Sequence, residues 1–518
     1  MRRVGIPTNK RQVSKTASIP APVGGWNARD PISNMPPSDA VVLDNFFPKA
    51  TVVSLREGYT NHVTGITGTP ETLVAYNGVS TQKLFAASGN NIYDVTAAGA
   101  VGAPVVTGQT SARWQHTNIS TAGGQFLYLV NGADKPQLYN GATWTAIDGA
   151  STPAITGVTT TNLIHVNLWK NRIFFTEKSS LKVWYLPTSS IGGAASAIDF
   201  TSLFTDGGYL MAMATWTIDA GYGMDDHAVF ITSQGQVAVY RGTDPSSAST
   251  FALVGVYTIG SPVGRRCFAK YGSDLILICQ DGLMPLSKAL MSSRVNTGIS
   301  LTDKIQQAMS ESVTISGSLF GWECHVYPKN NMVILNVPYN STTTYQYVMN
   351  SITGAWCRFL GWNTTTWEMF NEEMYFGSPG KVCHAFSGTS DNGLSISGDA
   401  TQAFSYFGAN TSQKRFLLAR PILYADSPSV GVSLGVAIDF DLNAVLNSPT
   451  FSSIGNIGIW DSSVWDGAVW GGDLSLRKDW LNIQGVGYAA ALRMKTSSLA
   501  SQLQWASTDF VLEYGGIV

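Results

Sequence analysis

Charge is what this sequence has least of. Asp, Glu, Lys and Arg make up 13% of its 518 residues, about half of the ~25% usual in a soluble chain. The net charge of −2 gives no overall basic footprint for nucleic acid. No run of 18 apolar residues occurs, so no helical membrane span is expected. The start lacks the apolar stretch and small-residue cleavage site of a secretory signal. Cysteine is also scarce. Cys267, Cys279, Cys324, Cys357 and Cys383 are odd in number and show no C-x-x-C spacing, which argues against structural zinc and a disulfide framework. They are expected to be small buried apolar residues of a chain assembled in a reducing cytoplasm.

Chemistry-bearing motifs are missing as well. Six histidines (His62, His116, His165, His227, His325 and His384) show no H-x-H, H-x-x-x-H or H-E-x-x-H spacing, and no G-x-S-x-G, P-loop or G-x-G-x-x-G occurs. Asp225, Asp226 and His227 meet in "GMDDH", which reads as a polar turn before a strand. Carboxylates distant in sequence could still pair for glycoside cleavage, but no positive sign of them is present. No cofactor, metal or small-molecule substrate is expected, and the chain is expected not to be an enzyme.

What is present is β-structure. From about residue 70, runs of β-branched and aromatic residues alternate with turn residues, as in "ETLVAYNG" and "QFLYLVNGADKPQLYNGATWTAI". Asn77-Gly78, Asn131-Gly132 and Asn140-Gly141 mark hairpins, because Asn-Gly supplies positive φ at a tight turn. "ITSQGQVAVYRG" and "ICQDGLMPLS" turn at Gly235 and Gly282, and "NSITGAWCRF" (350–359) reads as a blade's outer hairpin. The hairpins recur at roughly 40–50 residues, the period of four-stranded propeller blades, giving six or so units between about 65 and 390. Stacked β-sandwiches are the rival. One helix is expected in "SLTDKIQQAMSES", with Thr302 as N-cap, Asp303 in the first turn and Ile305, Ala308 and Met309 on one face.

After Asn392 the strands lengthen and alternate, as at Val430, Val432, Leu434, Val436 and Ile438, which predicts a sandwich or barrel whose strands bury one face. The fold class is therefore all-β, a propeller-like array of hairpins plus a C-terminal β-sandwich or barrel, with very little helix. The expected divisions are a basic arm at 1–23, a joining segment at 24–64, the array at 65–394 and the C-terminal domain at 395–518.

Two local features remain. Arg2, Arg3, Lys10, Arg11 and Lys15 have no acid among them. They read as a solvated tail or as an arm that orders against an acidic partner. In "GIWDSSVWDGAVWGGD", Trp460, Trp465 and Trp470 recur every five residues, a step that fits neither helix nor strand. With Asp461 and Asp466 beside them they could form a sugar platform. Trp is also favoured at the centre of protein interfaces, and packing or a subunit contact is the preferred reading.

One stretch carries a resemblance. "GGWNARDPISNMPPSDAVVLDNFFPKATVVSLREGY" (24–59) opens with GG-x-N, continues to DA-x-x-LDN-x-FP and closes on R-x-G-Y. Here Gly24-Gly25 permits a sharp turn, Ser38 or Asp39 could cap one helical turn, and Phe46 and Phe47 lead into a strand with Val52, Val53 and Leu55. The stretch resembles the opening of tail nozzle, or tail tubular B type, proteins of short-tailed bacteriophages. "GSPVGRRCFAKYGSDLILICQDGLMPLSKAL" (260–290) and the C-terminal "QKRFLLARPILY", "GVGYAAALRMKT" and "DFVLEYGGIV" are similar to the same family. The basic leader before Gly24 is longer than in that pattern, which leaves the arm's role open. The resemblance implies a structural protein of the virion tail, assembled in the host bacterial cytoplasm. Six copies would form a homohexameric ring below the adaptor protein. The ring would retain and then conduct genomic DNA during ejection, without tight or sequence-specific binding, and would dock tail fibres or spikes. Arg2, Arg3, Lys10, Arg11, Trp26, Phe46, Phe47, Trp460, Trp465 and Trp470 are the candidate subunit-interface residues. A propeller that binds or cleaves host-surface glycans is the alternative.

Overall fold

The computed structural model describes residues 14–219, 224–247, 249–292, 297–426, 431–448, 474–499 and 501–515. The chain divides into two compact units. One comprises Tyr59–Ser351 and Leu360–Ser387; the other gathers the chain up to Gly58, Ile352–Phe359 and everything from Gly388 onward.

The first unit is a β-propeller of seven blades. Blade 1 is Pro70–Asn77, Gln82–Ser88 and Asn91–Asp94. Blade 2 is Gln115–Thr121, Gly124–Val130, Gln137–Tyr139 and Trp144–Ala146. Blade 3 is Leu163–Trp169, Arg172–Glu177, Lys182–Tyr185 and Ser196–Asp199. Blade 4 is Leu210–Asp219, Met224–Thr232, Gln236–Gly242 and Phe251–Thr258. Blade 5 is Phe268–Tyr271, Asp274–Cys279 and Gly282–Pro285. Blade 6 is Glu323–Tyr327, Met332–Pro338 and Thr344–Asn350. Blade 7 is Thr366–Phe370, Glu373–Ser378 and Lys381–Ala385, completed by Tyr59–Thr64 from the other end of the unit.

That last pairing closes the ring: blade 7 packs against blade 1, so the small sheets follow one another around an axis rather than stacking as sandwiches. It also explains the seventh blade. Its outer strand lies before residue 65, outside the span in which six or so units were counted.

Each blade is covered on both faces, so its middle strand reads as a continuous apolar run rather than an alternating one. Phe174 packs with Met213 and Phe230 on the blade 4 side, and Phe175 with Tyr128 and Val130 on the blade 2 side. Val229 and Ile231 likewise turn to Leu275 and Leu277 of blade 5, while Phe230 faces blade 3. The Asn-Gly sites do sit at hairpins, but Asn works there through its side chain. Asn131 Oδ1 accepts from the amides of Ala133 and Asp134, and Asn140 Oδ1 from those of Ala142 and Thr143. These are Asx turns, and only the glycines, Gly132 and Gly141, take positive φ.

Two helices separate blades 5 and 6 rather than one. Leu286–Ser292 was not expected; Gln306–Ser316 follows a 3-10 turn at Asp303–Ile305. Thr302 makes no side-chain cap there, because its hydroxyl instead accepts from the Leu283 amide. Ile305 and Met309 are buried as expected.

The second unit is a β-sandwich. One sheet orders Ser475–Arg477, Lys414–Ala425, Leu503–Tyr514, Val53–Leu55 and Phe46–Pro48, with Lys15–Pro20 also on Leu503–Tyr514 and Leu481–Gly487 on Lys414–Ala425. The other holds Trp356–Phe359, Asp39–Asp44, Ile396–Gln402, Ala490–Ser498 and Gly431–Ile438, with Gly25–Trp26 parallel to Asp39–Asp44. The sheets meet where a Cβ on Gly398 would lie 2.6 Å from the Phe46 ring.

Several expectations change here. Lys15–Pro20 is a strand paired with Leu503–Tyr514, not part of a free arm. Asp39–Asp44 is a strand rather than a helical turn; β-branched Val41 and Val42 favour it, and the Asp39 carboxylate accepts from Asn27 Nδ2 at 2.8 Å instead of capping. Trp356–Phe359 is counted with this unit, beside Asp39–Asp44. The alternation along Gly431–Ile438 breaks after Leu434. Ala437 is also buried, and Ile438 packs over Gly485 and Gly487, so this strand is covered on both faces. Val430 lies outside the described residues.

The resemblance-bearing stretch forms a buried polar lock. Asn45, at φ 59, accepts from Arg56 Nε at 2.9 Å and donates to the Ser397 carbonyl. Arg56, its side chain 1% exposed, holds Asp391 through both Nη atoms. Asp44 pairs with Arg358 at 2.8 and 2.9 Å. Removing one partner of such a pair leaves a buried charge unmet. Arg56→Ala is expected to lower the stability of this unit by about 3–5 kcal/mol in a denaturant melt, and a loss below about 1 kcal/mol would remove the lock from this account.

Candidate functional site

The first strand of each blade runs along the propeller's axis, so chemistry scattered over the sequence converges there. A cavity of about 260 Å³ is lined by the inner strands of six blades. Blade 2 supplies Gln115 and His116, blade 3 His165, blade 5 Phe268, blade 6 Glu323 and His325, and blade 7 Trp367 and Glu368. No spacing rule could have brought these together, because they come from five different blades.

Arg266 organises the cavity. It precedes blade 5 and donates to Glu323 Oε2 (3.0 Å) in blade 6 and Thr366 Oγ1 (3.1 Å) in blade 7. It also donates to the Glu71 carbonyl (2.9 Å) and Thr72 Oγ1 (2.7 Å) in blade 1, and to the Trp114 carbonyl (3.2 Å) at the entry to blade 2. Thr72 Oγ1 passes the contact on to the Ala112 carbonyl at 2.6 Å. The Arg266 and Arg113 guanidinium groups both lie over the Phe320 ring, at 5.2 and 4.4 Å.

The electrostatics follow from burial. Glu368 is pushed up to about 8 by burial, with the nearby Glu323 carboxylate adding to the effect. His116, whose Nε2 lies 3.4 Å from Glu368 Oε2, is lowered to about 4 by burial and then by Arg266 and His325. His165 is lowered to about 3 by burial, then by Arg265 and His116. At neutral pH the cavity thus holds an Arg266–Glu323 ion pair, a protonated Glu368 and neutral His116 and His165, with Arg265 and Lys270 also in its lining. Glu323 Oε1 and His325 Nε2 are buried, 3.8 Å apart, and have no hydrogen-bond partner.

The sequence-derived candidates lie elsewhere. Trp26, Phe46 and Phe47 are buried in the sandwich, with Arg358 over the Trp26 ring. Arg2, Arg3, Lys10, Arg11, Trp460, Trp465 and Trp470 lie outside the described residues. Asp226 and His227 are in a blade 4 strand, where Asp226 accepts from Thr217 Oγ1 at 2.7 Å. All five cysteines are buried and unbridged, and burial pushes Cys267 and Cys324 up to about 12. Among the described residues no three His, Cys, Asp or Glu side chains are placed to hold a metal ion, and no helix is long and apolar enough to cross a membrane.

No family model matches the chain, and no curated protein does. Solved structures are similar in fold. The Cps50 (Swd1) β-propeller domain of Myceliophteria thermophila is 12% identical with a TM-score of 0.39, over 63% of this chain and 98% of its own. An exo-beta-1,3-galactanase from Phanerochaete chrysosporium is 10% identical with a TM-score of 0.25, over 77% of this chain and 97% of its own. A 6-phosphogluconolactonase described as putative, from Bacteroides fragilis, is 11% identical with a TM-score of 0.34, over 65% and 90%. The expectation that the chain is not an enzyme is therefore withdrawn. Enzymes stand among its structural neighbours, and the cavity gathers carboxyls and imidazoles that the sequence kept apart. Likenesses this low assign no reaction.

The shifts set the pH dependence of stability. The two imidazoles contribute stability that is complete above about 6.5 and is lost as pH falls through about 4 and 3. Glu368 contributes stability that is complete below about 4.5 and is lost as pH rises through about 8. Together they place the maximum near pH 6.5. The Tm of Glu368→Gln is expected to lose the decline between pH 6.5 and 8 that the unaltered chain shows; an unchanged decline contradicts the assignment.

Proposed function

We propose that the chain is a structural subunit of a bacteriophage tail nozzle, whose copies form a ring, six by resemblance, around the DNA exit channel below the adaptor. The observation that carries this reading is the use made of the resemblance-bearing stretch. Asp39, Asp44, Asn45, Phe46 and Arg56 are all interior to the sandwich, where they tie the N-terminal segment to strands that follow residue 350. A signature of this kind preserves a shape, as a part that must fit between neighbours requires. The scarcity of charge suits a surface largely covered by other subunits. The net charge of −2 suits a conduit, since each tight phosphate contact would retain the DNA through counterion release. Fibres or spikes dock on the outside of the ring, and the protein resides in the virion tail.

Negative-stain images of the purified chain mixed with its adaptor are expected to show a ring of copies capping the adaptor. Monomers that ignore the adaptor would refute the nozzle reading. In a mobility assay at physiological salt, duplex DNA is expected to bind no tighter than about 1 μM, and nanomolar retention would contradict a slippery channel.

A further inference from the structure

The axial cavity is larger than the Arg266 network needs. At about 260 Å³ it has room for roughly nine waters at ~30 Å³ each, and it lies just below the ~300 Å³ at which drug-sized pockets begin. One six-membered ring fits. Its wall is mixed. Glu323, itself 3% exposed, lines it with Oε2 held by Arg266 and Oε1 unpartnered, and His325 Nε2 is unpartnered 3.8 Å away. Leaving such groups unmet is costly, and one hydroxyl placed between them satisfies both. Trp367 adds an indole to the wall, and His116 and Glu368 add groups able to donate and accept.

We propose that this cavity binds a small polyhydroxylated ligand of monosaccharide size, its hydroxyls bridging Glu323 and His325 and facing the His116–Glu368 pair. This site differs from the tryptophan-rich stretch at 458–473, where a sugar platform was first considered, and it does not rest on the nozzle reading. A chain that fails to cap its adaptor could still bind sugar, and the reverse.

The test titrates the full chain with glucose, galactose, mannose, rhamnose and N-acetylglucosamine by calorimetry. At least one is expected to bind one-to-one with a Kd of about 1 mM or tighter. His325→Leu, which removes the unpartnered Nε2, and Glu323→Gln are each expected to weaken binding at least tenfold. Should either His325→Leu or Glu323→Gln fail to fold, hydrogen exchange on the unaltered chain decides, with slowing expected in the peptides spanning Gln115–Thr121 and Glu323–Tyr327. No saturable binding by any of the five sugars would overturn the proposal, leaving a water-filled cavity. Binding that both variants leave unchanged, or protection confined to other peptides, would overturn it equally.

Discussion

A single guanidinium stands at the centre of the propeller. Arg266 enters from the segment before blade 5 and bonds to blades 1, 6 and 7 and to the entry of blade 2. A ring of sheets is held mainly by contacts between neighbouring blades, so a group that engages non-neighbours resists distortions those contacts do not. Arg suits the position, because its planar fork offers five donors in fixed directions and keeps its charge. The ion pair with Glu323 compensates that charge.

The cavity's chemistry follows from burial first. Burial holds the proton on Glu368 at neutral pH, and the Glu323 carboxylate adds to the effect. Burial likewise keeps His116 neutral, and the Arg266 cation adds to it. The same arrangement supplies a stable hub for a structural part and a polar pocket able to receive a ligand. Structural use of the ring and occupancy of its axis are compatible.

The β-character, the hairpin punctuation and the recurrence of blades were legible in the sequence, because turn residues and apolar runs are local signals. Gly235 and Gly282 marked their turns through positive φ. The number of blades was not legible, since Tyr59–Thr64 joins a strand more than 300 residues away and no local pattern encodes that pairing. Val41 and Val42 outweighed the capping signal of Asp39, because the Asn27 side chain took its carboxylate. The cavity was hidden for a further reason. His116, Glu323, Glu368 and Arg266 each look ordinary in a strand or loop, and only the closure of the ring brings them together. Arg265-Arg266 was the one available signal, two adjacent cations in a chain poor in charge.

The central claim is that Arg266 and Glu323 form a mutually dependent pair at the propeller's hub. A double-mutant cycle with Arg266→Met, Glu323→Gln and the combined variant, read by chemical denaturation, measures it most directly. The account predicts a coupling energy of about 1.5–3 kcal/mol, within the range for residues sharing one network. Additive losses, with coupling below about 0.5 kcal/mol, would contradict it.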